Sequence, residues 1–324
     1  MTAKDAFAAL FLTLAPGLAH AVQYGAWGNP QPASGINTLA AAEGCPIESP
    51  DGLSLYIASN RGAPGAQGKL DIYRALRASL QGPWSELVNL GASVNSSEFD
   101  YCPTPMHGNW LMFVSSRQTD DDCFPGDVPP PAPTGGPSAG DILLTRENPA
   151  HGWAPALNLG CYPQGPNTAG AEFSPSLVET GSGTFLFFSS NGYPDSQGQD
   201  IYMSRVLDDG TVLPGQRIAE LSTPADDRMP NVSKDGLEIV FSSNRAGATA
   251  FDQDIYVARR DSPAAPWSAP ERIDNPFINT PASETRASLS GDGTRLYFGR
   301  KTTLADPGDV FVSTRARVTG NGRR

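Results

Sequence analysis

The chain of 324 residues contains 34 glycines and 30 prolines, 18% charged residues, and a formal net charge of −11. Many turn-forming residues and few charges favour short strands joined by turns over long helices. Nucleic acids and anionic membranes both attract positively charged proteins, so the net charge argues against either as a partner.

The first 21 residues have the pattern of an export signal. Lys4 precedes an apolar run at residues 6–15, and Ala19-His20-Ala21 supplies the small residues of a cleavage site. No later segment approaches the roughly 20 apolar residues that a membrane span needs. The sequence therefore predicts a signal peptide at 1–21 and no membrane insertion. The mature product, 22–324, is expected to be a monomer in the periplasm or secreted.

One sequence unit recurs five times in the rest of the chain. Each copy contains an apolar run that ends in small polar residues and is followed by an Asp-Ile-Tyr-like triplet, at Asp71, Asp141, Asp200, Asp254 and Asp309. The copies begin near residues 27, 84, 153, 211 and 267, where four have tryptophan and the fourth has Thr211. Each unit reads as four short strands separated by turns.

A four-stranded unit of this length cannot bury both of its faces alone, whereas five units in tandem can stack sheet on sheet around an axis. The predicted fold is an all-β, five-bladed β-propeller with four-stranded antiparallel blades in a single domain. The fifth copy stops after its third strand, and the mature chain begins with an unmatched segment, 26–38. We expect that segment to supply the missing outer strand and to bring residues near 27 beside residues near 311.

Two stretches, "GPWSELVNLGASVNSSEFDYCPT" followed by "FVSSR" and "SPDGLSLYIASNRG" followed by "DIYRA", resemble the TolB-type, WD-like propeller repeat of exported bacterial proteins. The resemblance covers residues 26–315. It implies the propeller fold, but such repeats occur in envelope scaffolds, peptidase accessory domains and some sugar-active enzymes, so it leaves the function open.

Comparison of the copies separates scaffold from site. The repeated triplet Asp is predicted to accept hydrogen bonds from loop amides, and Trp27, Trp84, Trp153 and Trp267 are predicted to pack between blades. An acid begins the innermost strand of every copy: Glu43, Asp100, Glu172, Asp227 and Glu284. The next strand runs antiparallel and ends beside it, with Arg61, Arg117, Arg245 and Arg300. The ring is interpreted either as a belt of salt bridges or as a polar ligand pocket.

Copy-specific loops are expected on the same face as the acids. The loop at 118–140 carries Asp120, Asp121, Asp122 and Asp127, which are oxygen ligands of the kind that calcium prefers. The regular spacing of a calcium loop is absent, so a solvated acidic loop without a cofactor is the favoured interpretation. Four cysteines in an exported chain predict two disulfides, and the equivalent positions of Cys45 and Cys102 favour pairing them, with Cys123–Cys161 as the second bridge.

Little in the mature chain suggests catalysis by histidine. His107 and His151 are expected in turns on the face opposite the acids, which argues against a zinc site or a Ser-His-Asp triad. The leading hypothesis is a non-catalytic propeller that presents its acidic, loop-decorated face to an envelope protein or glycan. The alternative is a glycoside hydrolase similar to the five-bladed arabinanases and invertases, which would draw its catalytic carboxylates from the five ring acids.

Overall fold

A computed structural model describes residues 23–124, 139–247 and 251–318. Five antiparallel sheets, which are the blades, follow one another around a central axis, so the predicted five-bladed propeller is confirmed. The predicted signal peptide lies outside the described residues. Within the described part, no helix is long and apolar enough to cross a bilayer.

The strands are numbered in chain order, and two short ones precede the first blade: β1 Gln23–Tyr24 and β2 Gln31–Pro32. Blade 1 contains β3 Glu43–Glu48, β4 Ser54–Ser59, β5 Asp71–Leu76 and β6 Val88–Asn89. Blade 2 contains β7 Asp100–Pro105, a 3-10 helix at His107–Asn109, β8 Trp110–Ser115, β9 Asp141–Asn148, β10 Gly152–Trp153 and β11 Leu157–Asn158.

Blade 3 contains β12 Glu172–Thr180, β13 Gly183–Ser190, β14 Asp200–Val206 and β15 Gln216–Arg217. Blade 4 contains β16 Asp227–Val232, β17 Glu238–Ser243, β18 Asp254–Arg259 and β19 Glu271–Arg272. Blade 5 contains β20 Ser283–Leu289, β21 Arg295–Lys301 and β22 Asp309–Thr314, and β23 Arg317–Val318 follows it.

The N-terminal segment closes the ring as predicted. Strand β2 pairs with β22, with Gln31 opposite Val312 and Pro32 opposite Phe311. The Asn37 side chain then bonds both the amide and the carbonyl of Val310 at 2.9 Å. A second closure, which the repeats did not predict, pairs β1 with β23. Strand β2 is therefore the fourth, outer strand of blade 5.

Apolar side chains pack between neighbouring blades. One cluster joins Val178 and Phe187 of blade 3 to Ile239, Phe241 and Trp267 of blade 4. Because each sheet buries both faces against its neighbours, the second and third strands are almost continuously apolar rather than alternating. The core is thus distributed around the ring in five wedges instead of one central cluster.

The repeated tryptophans belong to this packing, as predicted. An arginine guanidinium stacks on Trp84, Trp267 and Trp27 at 4.2, 4.1 and 4.2 Å from the ring centre. The three arginines occupy the same position after their third strands, and each donates from Nε to a turn glycine carbonyl at 2.7 Å; they are Arg77, Arg260 and Arg315. These Trp–Arg pairs hold a blade's outer strand to its first turn.

Candidate functional site

The five ring acids are structural. None is more than 2% exposed. Four of them pair with the arginine that ends the adjacent strand: Glu43–Arg61 at 2.8 Å, Asp100–Arg117 at 2.7 Å, Asp227–Arg245 at 2.5 Å and Glu284–Arg300 at 2.8 Å. The structure brings together the acids and arginines that the sequence selected, and it arranges them as a belt of buried pairs.

The belt is reinforced by the residues before each acid. In blade 4, the Thr223 hydroxyl and amide donate to Asp227 at 2.7 and 2.6 Å, and Arg245 also donates to the carbonyl of Leu221 at 2.7 Å. Hydroxyls at the equivalent position donate to the other four acids, from Thr38, Ser96, Thr168 and Thr280. Each acid therefore ties two strands of its own blade to the segment that arrives from the previous blade.

Glu172 differs from the other four acids because it has no arginine partner. Gly192 stands where Arg61 and Arg245 stand in their blades, and Glu172 accepts bonds from Ser190 and Thr168, both at 2.6 Å. Burial outweighs these bonds and raises the pKa of Glu172 to about 8. Burial also raises the pKa of Glu284 to about 7, despite its bonds from Thr280 and Arg300. Glu172 is therefore a neutral carboxyl at pH 7.

The triplet aspartates have the predicted scaffold role in the first three blades. Asp71 accepts from the amides of Gln67 and Gly68 at 2.7 and 3.2 Å, and Asp200 accepts from Gln197 at 2.7 Å. Asp141 accepts from the amide of Cys123 at 2.8 Å. In blade 4 Asp254 instead forms an ion pair with Arg272. In blades 1 to 3 the loop before the third strand is thus fixed by that strand's first residue.

The copy-specific loops are joined by a disulfide between Cys123 and Cys161, as predicted. Asp120, Asp121 and Asp122 lie exposed or half-buried in the first loop, while Asp127 lies outside the described residues. In the described ranges, no group of three or more His, Cys, Asp or Glu side chains is placed to hold a metal ion. Both interpretations of this loop, solvated or calcium-binding, stay predictions.

The second predicted disulfide is not formed in this structure. Cys45 and Cys102 are free thiols, although their Sγ atoms lie only 2.9 Å apart. Both are the third residue of an innermost strand, where the backbone adopts positive φ values of 51° and 49°. The predicted equivalence of the two positions is correct, and it places both sulfurs on the propeller axis.

Two cavities lie on the face opposite the acids, where the innermost strands end. The first, the axial cup, has a volume of 230 Å³ and is lined by the ends of all five innermost strands. Its walls are apolar at Ile47, Leu177 and Leu289, and polar at Thr104 and Asn231. His107 and Lys234 stand exposed at its edge. The cup therefore combines an apolar wall with a small number of polar groups, as ligand sites do.

The second cavity, the lateral cleft, has a volume of 1210 Å³ and lies between blades 4 and 5 beside the β1–β23 pair. It shares Ser233, Lys234, Ser290 and Gly291 with the axial cup. The two cavities therefore adjoin each other, and we call them together the groove.

Charges of both signs line the cleft. Glu238 forms ion pairs with Arg315 at 2.7 Å and Arg259 at 3.0 Å. Arg315 is 3% exposed, whereas Arg259 is 54% exposed and extends into the opening. The aromatic rings of Tyr24 and Trp27 stand beside Arg315, at 3.8 and 4.2 Å from its guanidinium carbon. The cleft thus offers aromatic surface together with donors and acceptors of hydrogen bonds.

Sequence reasoning missed Lys234, although a signal for it was present. The turn after the innermost strand reads Ser-Pro-Asp-Gly in blade 1 and Ser-Gly-Asp-Gly in blade 5, but Ser-Lys-Asp-Gly in blade 4. Lys234 therefore places a charged side chain where the cup meets the cleft, at a turn position that Pro50 and Gly291 occupy in blades 1 and 5. His107 was placed correctly on the face opposite the acids, but it was not recognised as lining a cavity.

No protein-family model and no curated protein matches the sequence. Solved structures match in fold. A thermostable family-43 glycoside hydrolase has a TM-score of 0.53 at 13% identity, with 90% of this chain and 95% of that chain covered. The α-L-arabinofuranosidase from Lactobacillus brevis has a TM-score of 0.53 at 14% identity, with coverage of 89% and 94%.

The endo-arabinase from Bacteroides thetaiotaomicron has a TM-score of 0.51 at 13% identity, with 90% of this chain and 99% of that chain covered. At such identities the likeness establishes a shared fold and does not transfer a site. The chain is thus a five-bladed β-propeller of the same architecture as these glycoside hydrolases. The resemblance to the TolB-type repeat stays a prediction.

Proposed function

We propose that the chain is an exported binding propeller that holds a glycan in the groove and does not cleave it at the acid ring. One observation carries this proposal: all five ring carboxylates are buried and hydrogen-bonded within the propeller. A hydrolase needs two carboxyl groups that reach the same glycosidic bond, about 5 to 9 Å apart. Carboxylates that hold blades together are not available for that reaction.

The lining of the groove supports a glycan as the ligand. Sugar hydroxyls both donate and accept hydrogen bonds, and the cleft presents arginine donors beside the carboxylates of Asp235, Asp261 and Glu271. The apolar faces of sugar rings pack on aromatic surface, which Tyr24 and Trp27 supply. The groove's volume suits an oligosaccharide better than a single sugar.

The fold neighbours support a glycan as the ligand, and the disulfide supports export. Two of the similar structures are named for activity on arabinose-containing substrates, an arabinofuranosidase and an endo-arabinase. The Cys123–Cys161 bridge supports export, because disulfides persist in oxidising compartments. We therefore place arabinan among the first ligands to be tested.

The test is binding of arabinan, xylan and fructan oligosaccharides to the full chain, measured by calorimetry. Lys234→Ala, which changes an exposed side chain shared by cup and cleft, should weaken binding about tenfold. The matched control is Lys301→Ala, which removes a lysine on the acid face and should leave the affinity unchanged. Equal losses in both variants, or loss only in the control, would contradict a site in the groove.

A second candidate, glycoside hydrolysis, is favoured by the fold neighbours and by Glu172. Catalytic carboxyls need unlike environments, and Glu172 alone among the ring acids lacks an arginine and keeps a proton at pH 7. Release of reducing sugar from the same panel separates the two functions. Turnover that is lost in Glu172→Gln establishes hydrolysis, whereas binding without turnover establishes the binding propeller.

A further inference from the structure

The most unusual chemistry of the molecule lies on the propeller axis. The residue two positions after the ring acid has a positive φ in every innermost strand, between 49° and 59°, at a β-bulge; these residues are Cys45, Cys102, Ser174, Met229 and Arg286. Few residues other than glycine adopt this conformation. The contacts among Cys45, Cys102 and Ser174 bring three of the five side chains together at the centre of the ring.

Two thiols are in contact there. The Sγ atoms of Cys45 and Cys102 lie 2.9 Å apart, and the Ser174 hydroxyl donates to Cys102 Sγ at 3.2 Å. Cys102 is fully buried, while Cys45 is half-buried and is the more exposed residue of the pair. A disulfide needs about 2.05 Å between the sulfurs, so a shift of under 1 Å would join them.

A buried cation accompanies the thiols. Arg286 is 1% exposed, and its guanidinium donates to the carbonyls of Pro230 and Pro103 and to Thr104 Oγ1, at 3.2 to 3.3 Å. Those partners are neutral, and among the described residues Arg286 forms no ion pair with a carboxylate. A buried positive charge balanced only by neutral oxygens favours an anion nearby.

The thiols respond unequally to this environment. Burial alone would raise the pKa of Cys102, but the hydrogen bond from Cys45, the charge of Arg286 and the bond from Ser174 outweigh it and hold the pKa at about 7. The hydrogen bond with Cys102, together with burial, raises the pKa of Cys45. Of the two thiols, Cys102 therefore loses its proton more readily.

We propose that Cys45 and Cys102 form a redox-active dithiol–disulfide pair whose reduced form is stabilised by Arg286 and Ser174. The co-reactant is a low-molecular-weight disulfide. Cys102 thiolate accepts the proton of Cys45, and Cys45 attacks one sulfur of the small disulfide, which releases one small thiolate and leaves a mixed disulfide on Cys45. The released small thiolate then takes the proton from Cys102. Cys102 thiolate then attacks Cys45 Sγ, and the second small thiolate leaves. Two electrons and both thiol protons pass to the small molecule, which becomes two thiols.

This pair differs from the Cys123–Cys161 bridge in the same chain. Stabilisation of the reduced form makes a disulfide easier to reduce. Beside Cys123–Cys161 the carboxylates of Asp121, Asp122 and Asp141 supply negative charge, which disfavours thiolates. The axial pair should therefore be reduced at a higher potential than the loop bridge, and the loop bridge serves as an internal reference.

The experiment is equilibration of the full chain in glutathione buffers of graded ratio, followed by acid quenching, alkylation and peptide mass spectrometry of both pairs. We expect the reduction equilibrium constant of Cys45–Cys102 to exceed that of Cys123–Cys161 at least tenfold, which corresponds to about 30 mV. Reduction of both pairs over the same range, earlier reduction of the loop bridge, or only a mixed disulfide at Cys45 would overturn the proposal.

Variants test the cause. Arg286→Gln should shift the axial pair about tenfold toward the disulfide. Arg286 is buried and its substitution could prevent folding, so Ser174→Ala is a second, smaller change. It should shift the axial pair about threefold toward the disulfide. Met229→Leu, at the same bulge position of blade 4, is the control and should shift nothing. An equilibrium that Ser174→Ala leaves unchanged, or that Met229→Leu moves equally, contradicts stabilisation of the thiolate.

Discussion

The two ends of the propeller channel differ in whether their side-chain contacts recur from blade to blade. At the acid end, the same set of contacts recurs in nearly every blade: an acid, a hydroxyl four or five residues before it, and an arginine at the end of the next strand. At the other end, the axial cup and lateral cleft depend on side chains that single copies supply, such as Lys234 and His107. In this repeat protein, side-chain contacts that recur from blade to blade support the ring, whereas side chains that occur in a single blade are available to a ligand.

The largest loss of stability is expected for a substitution in the belt of buried acid–arginine pairs. Asp227→Ala removes the buried ion-pair partner of Arg245 and should lower the free energy of unfolding by about 3 to 5 kcal/mol. Urea unfolding followed by fluorescence measures it. Asp208→Ala, an exposed aspartate, is the control and should change stability by less than about 0.5 kcal/mol. A belt variant as stable as the control would mean that the acids are free for a ligand.

A smaller loss is expected where the ring closes. Asn37→Ala removes two hydrogen bonds to Val310 and should cost about 1 to 3 kcal/mol. Asn95→Ala removes the equivalent bonds to Ile72 between blades 1 and 2 and provides the comparison. Similar thermal shifts in the two variants would mean that the closing joint is as strong as an internal one, whereas an unaffected Asn37→Ala protein would contradict the closure.

A further effect on stability concerns Glu172 and appears as a pH dependence. Its pKa is about 8 in the folded chain and near 4.5 when unfolded, so between these values the native state holds the extra proton. Stability contributed by this group is therefore present below pH 4.5 and is lost as pH rises toward 8, with a slope of at most about 1.4 kcal/mol per pH unit.

Glu172→Gln removes this proton and should flatten the slope between pH 5 and 8, while Glu284 continues to contribute in the same direction. Chemical denaturation at several pH values gives both slopes. Identical slopes for wild type and variant would show that Glu172 is ionised in the folded protein, which would make its environment like that of the other ring acids.

The fold could be predicted because the same blade pattern recurs five times in the sequence. The aligned Asp-Ile-Tyr triplets and the unmatched segment before residue 38 were sufficient for the blade number and the closure. The partners of the acids also followed from strand direction, since antiparallel neighbours bring Glu43 beside Arg61. What strand order alone could not decide was whether these charges face solvent or each other.

The groove could not be predicted from the sequence, because it arises from the ends of strands that are distant in the chain. Lys234 and Ser290 are neighbours across two blades, and the β1–β23 pair that walls the cleft joins the two ends of the described chain. The bulge that turns Cys45 and Cys102 toward the axis is likewise invisible in a strand pattern, which assumes regular alternation.

Amide hydrogen exchange, with and without the glycan that the binding panel identifies, tests most directly whether the groove is the ligand site. We expect the glycan to slow amide exchange in 233–238 and 259–274, which line the cleft, and to leave exchange unchanged in 60–69 and 191–199 at the acid end. Protection confined to the acid end, with the groove segments unchanged, would contradict it.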